Sequence, residues 1–436
     1  MTLGKPTLSP VSKLGELLDL VIDYRGKTPK KLGGDFTNSG IPVISAIHIK
    51  RGKIVWEERE RFVTKDMFQK WMKDPLKKGD VLLTSEAPLG EVALVPNDDD
   101  LVLSQRLFAL RTKSELLDSR YLMYFFQSKI GQEELKGRSS GSTVVGIRQT
   151  ELVNISVPCP PIANQRVVGE VLAAIDAKIS ANEALSKTLE VIAQTTFKSW
   201  FIDFDPVKAK MAGEKPAGMD DATAALFPDS MEESELGIVP SGWKVTKLSS
   251  SLKLHKSTVK AGASTESVPY VPVDQIGAKD IFLKNSMPGS AAKTSLVSFR
   301  KNDILFGAMR PYFHKVVLAP FDGTTRTTTF VLRVINSNYL SHSLFTVNQE
   351  NAVAFATNNS QGTTIPYAVW NNSFEDFPMV LPPEPTAKAF NDLVLPIIEY
   401  GYSLIAQNRS LVEIRNGLLP RLISGELQIP DEMLAS

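Results

Sequence analysis

Three carboxylates, Asp80, Glu86 and Glu91, stand close together in a stretch rich in turn residues, and they are the first place to look for acid–base or metal chemistry. A metal-dependent nuclease would want a lysine beside the second carboxylate, and none stands there, so the three read as exposed turn carboxylates. No G-x-x-x-x-G-K-[ST] occurs, which excludes a P-loop for ATP, and no Gly-rich loop follows a strand as in a dinucleotide or adenosylmethionine pocket. The Pro-Pro pairs in PCPPI (158–162) and LPPEP (381–385) lack the leading Asn or Asp and the trailing aromatic with which an amino-methyltransferase grips a base. Cys159 is the single cysteine, so no internal disulfide exists, and it reads as a small residue near a strand end. The four histidines, at 48, 255, 314 and 342, are too scattered for a zinc site. The residues point away from catalysis.

A chain of 436 residues exceeds what one hydrophobic core fills, so at least two domains are expected. Apolar content of 43% with 22% charged residues is ordinary for a globular protein, and no run approaches the roughly 18 apolar residues of a membrane span. The start, MTLGKPTLSPVSKL, has no apolar run with a small-residue cleavage site, and a cytoplasmic address with no membrane partner is the expectation. The net charge of +1 hides a segregation. Residues 1–161 carry 24 Lys+Arg against 20 Asp+Glu and residues 239–385 carry 14 against 9, whereas 162–238 carry 7 against 13 and 386–436 carry 4 against 6. A polyanion would meet the two basic blocks first.

These basic blocks are copies of one unit. KKGDVLLTSEAPLGEVALVP (77–96) is echoed about 222 residues later by RKNDILFGAMRPYFHKVVLAP (300–320), with Asp80 on Asp303, Pro88 on Pro311 and Pro96 on Pro320. FALR (108–111) returns as FVLR (330–333), GSTVVGI (141–147) as GTTIPYA (362–368), and VPCPP (157–161) as MVLPP (379–383). Short apolar runs between turn residues predict strands in KKGDVLLTSEAPLGEVALVP, GIPVISAIHIKRGKIVW, LSQRLFALR and ISVPCPP, with a helix over Ser119–Lys129. Each unit therefore reads as an α+β domain with a curled sheet. The stretch between them is an acidic, Pro- and Gly-rich connector with one short helix around Asp220–Leu226.

A long helix follows each domain. Val168, Leu172, Ile175, Ile179, Asn182, Leu189 and Thr196 fall on steps of four and three or their sums. Phe390, Val394, Ile397, Gly401, Leu404, Asn408, Leu411, Arg415, Leu418 and Leu422 do the same without a slip, the pattern of a two-helix seam. Leu185 and Leu411 follow the two asparagines at equal distance. Laying the helices antiparallel, Val168 against Leu422 and Trp200 against Phe390, puts Asn182 opposite Asn408, a polar pair that would fix register. Pro396 lacks a backbone donor and is a candidate kink.

With these residues in hand, the sequence resembles the DNA specificity subunit of type I restriction-modification enzymes. FKSWFIDFDPVKAK after the first helix, ELGIVPSGW before the second domain and LLPRLISGEL at the end of the second helix carry the resemblance, in order, across the whole chain. One departure is the lack, before the first domain, of the Pro-x-Gly-Trp found at Pro240–Trp243. The resemblance implies two target-recognition domains, each with a curled sheet and followed by a long helix, the two helices forming an antiparallel coiled coil. Its divisions are a first recognition domain at 1–161, a spacer helix at 162–202, the connector at 203–239, a second recognition domain at 240–385, a second spacer helix at 386–425 and a tail at 426–436. It implies a non-catalytic chain that reads a bipartite site on double-stranded DNA and holds two methyltransferase subunits along its helices. A motor-nuclease restriction subunit would join the restricting form. S-adenosylmethionine would bind the methyltransferase partner, leaving this chain without a cofactor.

Lys and Arg meet phosphates, Arg also reads guanine, and Asn or Gln reads adenine. On that basis the first-domain candidates are Arg25, Lys27, Lys30 and Lys31, then Lys50 and Arg51, then Arg138, Ser139, Ser140 and Arg148. In the second domain they are Lys256 and Lys260, then Arg310, Tyr312 and His314, then Asn358, Asn359 and Gln361, with His314 read as a surface residue or a contact. Two competing functions remain at this level: a self-sufficient DNA-modifying enzyme with an unrecognised motif, and a scaffold whose domains bind protein.

Overall fold

The computed structural model describes residues 9–56, 60–141, 143–362 and 364–434. The first eight residues, which form part of the expected N-terminal edge of the first domain, lie outside it, as do Ser142 and Thr363 within the echoed loops. The chain divides into two compact units, one running to Ser180 and resuming at Arg409, the other spanning Ala181–Asn408. Both boundaries fall within the long helices, so each unit contains part of each helix.

The first unit is built on a four-stranded antiparallel sheet in the order Leu18–Ile22, Leu107–Thr112, Val81–Ser85, Leu89–Leu94. Successive side chains of a strand point to opposite faces, and here both faces are buried. Val81, Leu83, Val92, Phe108 and Leu110 pack with the helix Ser119–Gln127 and the long helices. Leu82, Ala93, Leu107 and Ala109 pack on the other side with Val43, Ile44, Phe68 and Trp71. Burial on both faces is why these strands read as continuous apolar runs and not as alternation.

The second unit repeats this arrangement. Leu252–Leu254, Thr329–Val334, Ile304–Gly307 and Val316–Leu318 form the same antiparallel order. Ile304, Phe306, Phe330 and Leu332 face one core while Leu305, Val317 and Val331 face the other. A two-stranded ribbon closes each domain at the point where the long helix leaves, Val11–Lys13 with Ser156–Pro158 and Lys244–Lys247 with Pro378–Leu381. Asp80, expected as an exposed turn carboxylate, is instead 2% exposed and grips Arg111 through both oxygens at 2.9 and 2.7 Å. The echoed Asp303 holds Arg333 at 2.7 Å through both of its oxygens. The carboxylate also accepts the backbone N–H three residues upstream in each copy, so it closes the turn that starts the strand.

The long helices are Ile162–Phe201 and Glu384–Ile423, and the second is unbroken through Pro396. They are antiparallel in both units. In the first, Val168 and Leu172 share a core with Leu419 and Leu422, and Arg415 Nη1 donates to Asp176 at 2.7 Å. In the second, Asn182 Nδ2 donates to Asn408 Oδ1 at 2.8 Å and to Gln407 Oε1 at 2.6 Å, and Trp200 and Phe201 pack on the Phe390 ring. The expected seam changes after Asn182: Leu189 and Thr196 are only half-buried, and the buried line continues through Ser186, Glu190, Ala193 and Phe197. The cause is Glu190, whose buried carboxylate accepts the Ile281 N–H at 3.0 Å and the Lys187 ammonium at 2.7 Å. This half of the helix is rotated to serve the domain beside it as well as its partner helix.

Three further elements differ from expectation. The predicted helix over Ser119–Lys129 is two, Ser119–Gln127 and Lys129–Gly137, because the Ser128 hydroxyl caps the second by accepting the Gly131 N–H. The connector holds the expected short helix, at Asp221–Ala225, and also a helix Asp205–Met211 and a hairpin Met231–Ser234/Gly237–Pro240. A helix at Lys65–Trp71, capped by Thr64, covers the small sheet of the first domain. Among the described residues no helix is long and apolar enough to cross a membrane.

Candidate nucleic-acid interface

In each domain the loop that joins the last small helices to the closing ribbon folds back against the end of the central sheet. In the first, Ser140 and Gly146 exchange both backbone hydrogen bonds, at 2.9 and 3.0 Å, and the Ile147 N–H donates to the Ser85 carbonyl. The Ser85 N–H in turn donates to the Arg106 carbonyl, and the Arg106 guanidinium meets Glu86 at 3.2 Å. In the second, Gln361 and Tyr367 exchange the same pair of bonds, the Arg310 N–H donates to the Pro366 carbonyl, and the Ala308 N–H donates to the Thr328 carbonyl. The echo is therefore three-dimensional: strand end, neighbouring turn and returning loop meet identically in both domains.

The candidates from sequence separate into groups. Arg25 sits beside the first loop but is engaged. Its guanidinium donates twice to Asp23 at 2.8 Å and once to the Ile147 carbonyl, and it lies over the Phe108 ring. Lys27 is half-buried, with its ammonium on the Trp71 carbonyl, and burial lowers its pKa from the ordinary lysine value. Lys31 donates to the Gly26 carbonyl, while Lys30 is exposed. Lys50 and Arg51 occupy a separate exposed hairpin turn, where the Arg51 N–H donates to Glu91. Arg138 lies between Glu134 at 3.3 Å and Glu151 at 3.8 Å, and the Ser139 hydroxyl donates to the Lys136 carbonyl. Ser140 and Arg148 flank the loop and are exposed, Arg148 at the start of the short helix Gln149–Leu152.

In the second domain Lys256 and Lys260 are exposed beside the strand Thr258–Val259. Arg310 and His314 bracket a turn, and both adopt left-handed backbone angles, φ 51° and 52°, which non-glycine residues hold only when their surroundings fix them. His314 departs from its reading as a surface residue: it is 6% exposed, and its ring Nε2–H donates to the Asn348 carbonyl at 2.9 Å. That anchor, with Arg310 tied to Pro366, holds Tyr312 and Phe313 in solvent with their rings 4.8 Å apart. Asn358 ends the helix Glu350–Asn358 and is exposed. The Asn359 side chain donates to the Phe355 carbonyl, and Gln361 starts the loop with its side chain exposed.

The structure adds Arg106 and Arg326, both exposed and both on the turn that precedes the last central strand. The sequence reading placed Arg106 inside a strand; its φ of 64° puts it in a turn, and the echo of the two segments was the signal that could have located both. Among the described residues, no group of three or more His, Cys, Asp or Glu side chains is placed to hold a metal ion. What the cluster presents is cations, amides and hydroxyls on loops closed by backbone hydrogen bonds, the donor set for phosphates and base edges.

The description "Type I restriction modification DNA specificity domain" matches residues 8–191. The chain is 27% identical, over 93% of its length and 91% of the other's, to the type I restriction enzyme MjaIX specificity subunit of Methanocaldococcus jannaschii. It is 23% identical, over 81% of its length and 88% of the other's, to the HindI specificity subunit of Haemophilus influenzae. In fold it is similar to the crystal structure of a type I restriction-modification S subunit from M. genitalium, with a TM-score of 0.56 at 13% identity, covering 97% of this chain and 98% of that one. With the duplicated domain, the antiparallel helices and the two loop clusters, these similarities run across most of the chain: it resembles the DNA specificity subunits of type I restriction-modification enzymes.

Proposed function

We propose that the chain recognises a DNA site of two parts, one per domain, and brings the modification and restriction subunits of its system to that site without performing chemistry itself. The observation that carries this is the duplicated loop cluster, because two equivalent donor sets on two copies of one fold are what a bipartite site requires. Within each cluster the exposed groups suit base edges: Arg106, Ser140 and Arg148 in the first, Tyr312, Arg326, Asn358 and Gln361 with the half-buried Arg310 in the second. Lys30, Lys50, Arg51, Lys256 and Lys260 suit phosphates, which fix orientation without carrying sequence. Arg25, Lys27, Arg138, Ser139, Asn359 and His314 hold the loops through the bonds described above.

The partners we infer are double-stranded DNA, two methyltransferase subunits seated along the long helices, and motor-nuclease subunits in the restricting form. Val191, Ile192, Leu393 and Tyr400 on those helices are each close to half exposed, an apolar surface suited to a protein partner. S-adenosylmethionine belongs in this reading to the methyltransferase subunits, and the assembly works in the cytoplasm. The test is selection of bound duplexes from a randomised library by the chain complexed with its methyltransferase. Two short fixed elements around an unread spacer are expected, with affinity falling as salt rises. Recovery of a single contiguous element, or of none, would contradict the proposal.

A further inference from the structure

The two clusters differ in most side chains that could specify a base, yet one loop is common to both. Gly141-Ser142-Thr143-Val144 corresponds to Gly362-Thr363-Thr364-Ile365. Both glycines are left-handed, φ 119° and 91°, and a Cβ at either would come within 2.1 Å of the Val144 carbonyl oxygen or 2.8 Å of the Ile365 carbonyl oxygen. Both loops are closed by the reciprocal backbone bonds already described. At the same place in each stands a β-branched aliphatic residue, Val144 at 46% and Ile365 at 49% exposure. Half-exposed aliphatic groups contribute little to either core, and leaving them in water is unfavourable. The loops that carry them are tied to the clusters through the backbone, Ile147 to Ser85 in one domain and Pro366 to Arg310 in the other.

A feature shared by domains with different base-reading side chains does not carry the difference between them. It suits what the two half-sites have in common. If each half-site contains a base that the partner modifies, that base must leave the stack first, because its reacting atom is inaccessible inside a duplex. Apolar side chains pressed against a base step are an established way to weaken stacking, and a branched aliphatic group on a loop pinned at both ends loses little freedom in doing so.

We propose that Val144 and Ile365 are equivalent wedge residues, each pressing on the base step beside the base to be modified in its own half-site and easing that base out of the stack. This rests on the DNA-reading function above. They are positioning residues: the chemistry stays with the partner.

The test uses the full chain complexed with its methyltransferase, S-adenosylmethionine, and duplexes carrying the mapped site. Val144→Ser is expected to slow single-turnover methylation in the first domain's half-site about tenfold, and Ile365→Ser that in the second, each leaving the other half, the duplex affinity and the preferred bases unchanged. A mismatch opposite the target base, which already weakens pairing, should restore the rate of each variant, and Val144→Ile and Ile365→Val should retain it. A loss that a mismatch does not relieve, a changed base preference, or no loss would each overturn the wedge. Failure of the DNA-reading function would show separately, as a wild-type complex that selects no sequence, and would overturn both.

Discussion

Replacing Asn182 probes how the helices are registered. Its side chain is 2% exposed, and its amide donates to Asn408 Oδ1 at 2.8 Å and Gln407 Oε1 at 2.6 Å. Each such bond contributes about 0.5–1.5 kcal/mol net, so Asn182→Ala should cost about 1–3 kcal/mol. Gln407 is exposed and can turn to water, whereas Asn408 is half-buried, so much of the cost comes from the amide left behind there. Asn182→Leu with Asn408→Leu should return stability to wild type or above, since an apolar pair replaces a polar one, while relaxing the register that the asparagines specify. Hydrogen exchange resolved to peptides covering 178–190 and 400–412 reads this locally. Protection there should fall about 5- to 150-fold in Asn182→Ala, a factor of ten per 1.36 kcal/mol, and recover in the double leucine variant. If Asn182→Leu alone raised protection, the pair would not be holding the seam.

The repeated carboxylate–arginine pairs should behave alike. Arg111→Ala strands Asp80 and Arg333→Ala strands Asp303, each approaching the roughly 3–5 kcal/mol seen when a buried pair loses one partner, reduced because the arginines are 21% and 31% exposed; urea unfolding checks this. Buried His342 has a pKa lowered to about 3, chiefly by desolvation. Because that lies below its unfolded value of about 6.5, the unfolded chain binds the extra proton first. The contribution of neutral His342 is complete above about pH 6.5 and is lost as pH falls from there toward 3, at up to about 1.4 kcal/mol per pH unit. His342→Gln should flatten the stability profile between pH 6 and 4, and an unchanged slope would refute the assignment.

The repeat made most of the fold legible, because burial on both faces of the central sheet forces the same apolar runs and the same aspartate-initiated strand in both copies. Asn182 and Asn408 were placed by helix spacing alone, which works where a helix has one partner. The spacing put Leu189 and Thr196 on the seam where Glu190 and Phe197 are the buried residues, because Glu190 draws that half of the helix toward Ile281, a tertiary contact that no local pattern contains. The connector hairpin at Met231–Pro240 was hidden by Glu232 and Glu233 on a strand whose side chains are largely exposed. Within the candidate loops the spacing of residues does not show which side chains are already engaged. Arg25 and Arg138 look like free cations in sequence and are held by Asp23 and by Glu134 with Glu151. Arg106 looks like a strand residue and is on a turn.

The most direct test of the account is whether reading is divided between the domains. Duplexes selected from a randomised library by complexes carrying Arg148→Ala or Asn358→Ala should lose preference in one half-site only, a different half for each, with about 1–3 kcal/mol lost at a contacted base and the other half unchanged. Equal loss of preference in both halves from either substitution would contradict the assignment of one half-site to each domain.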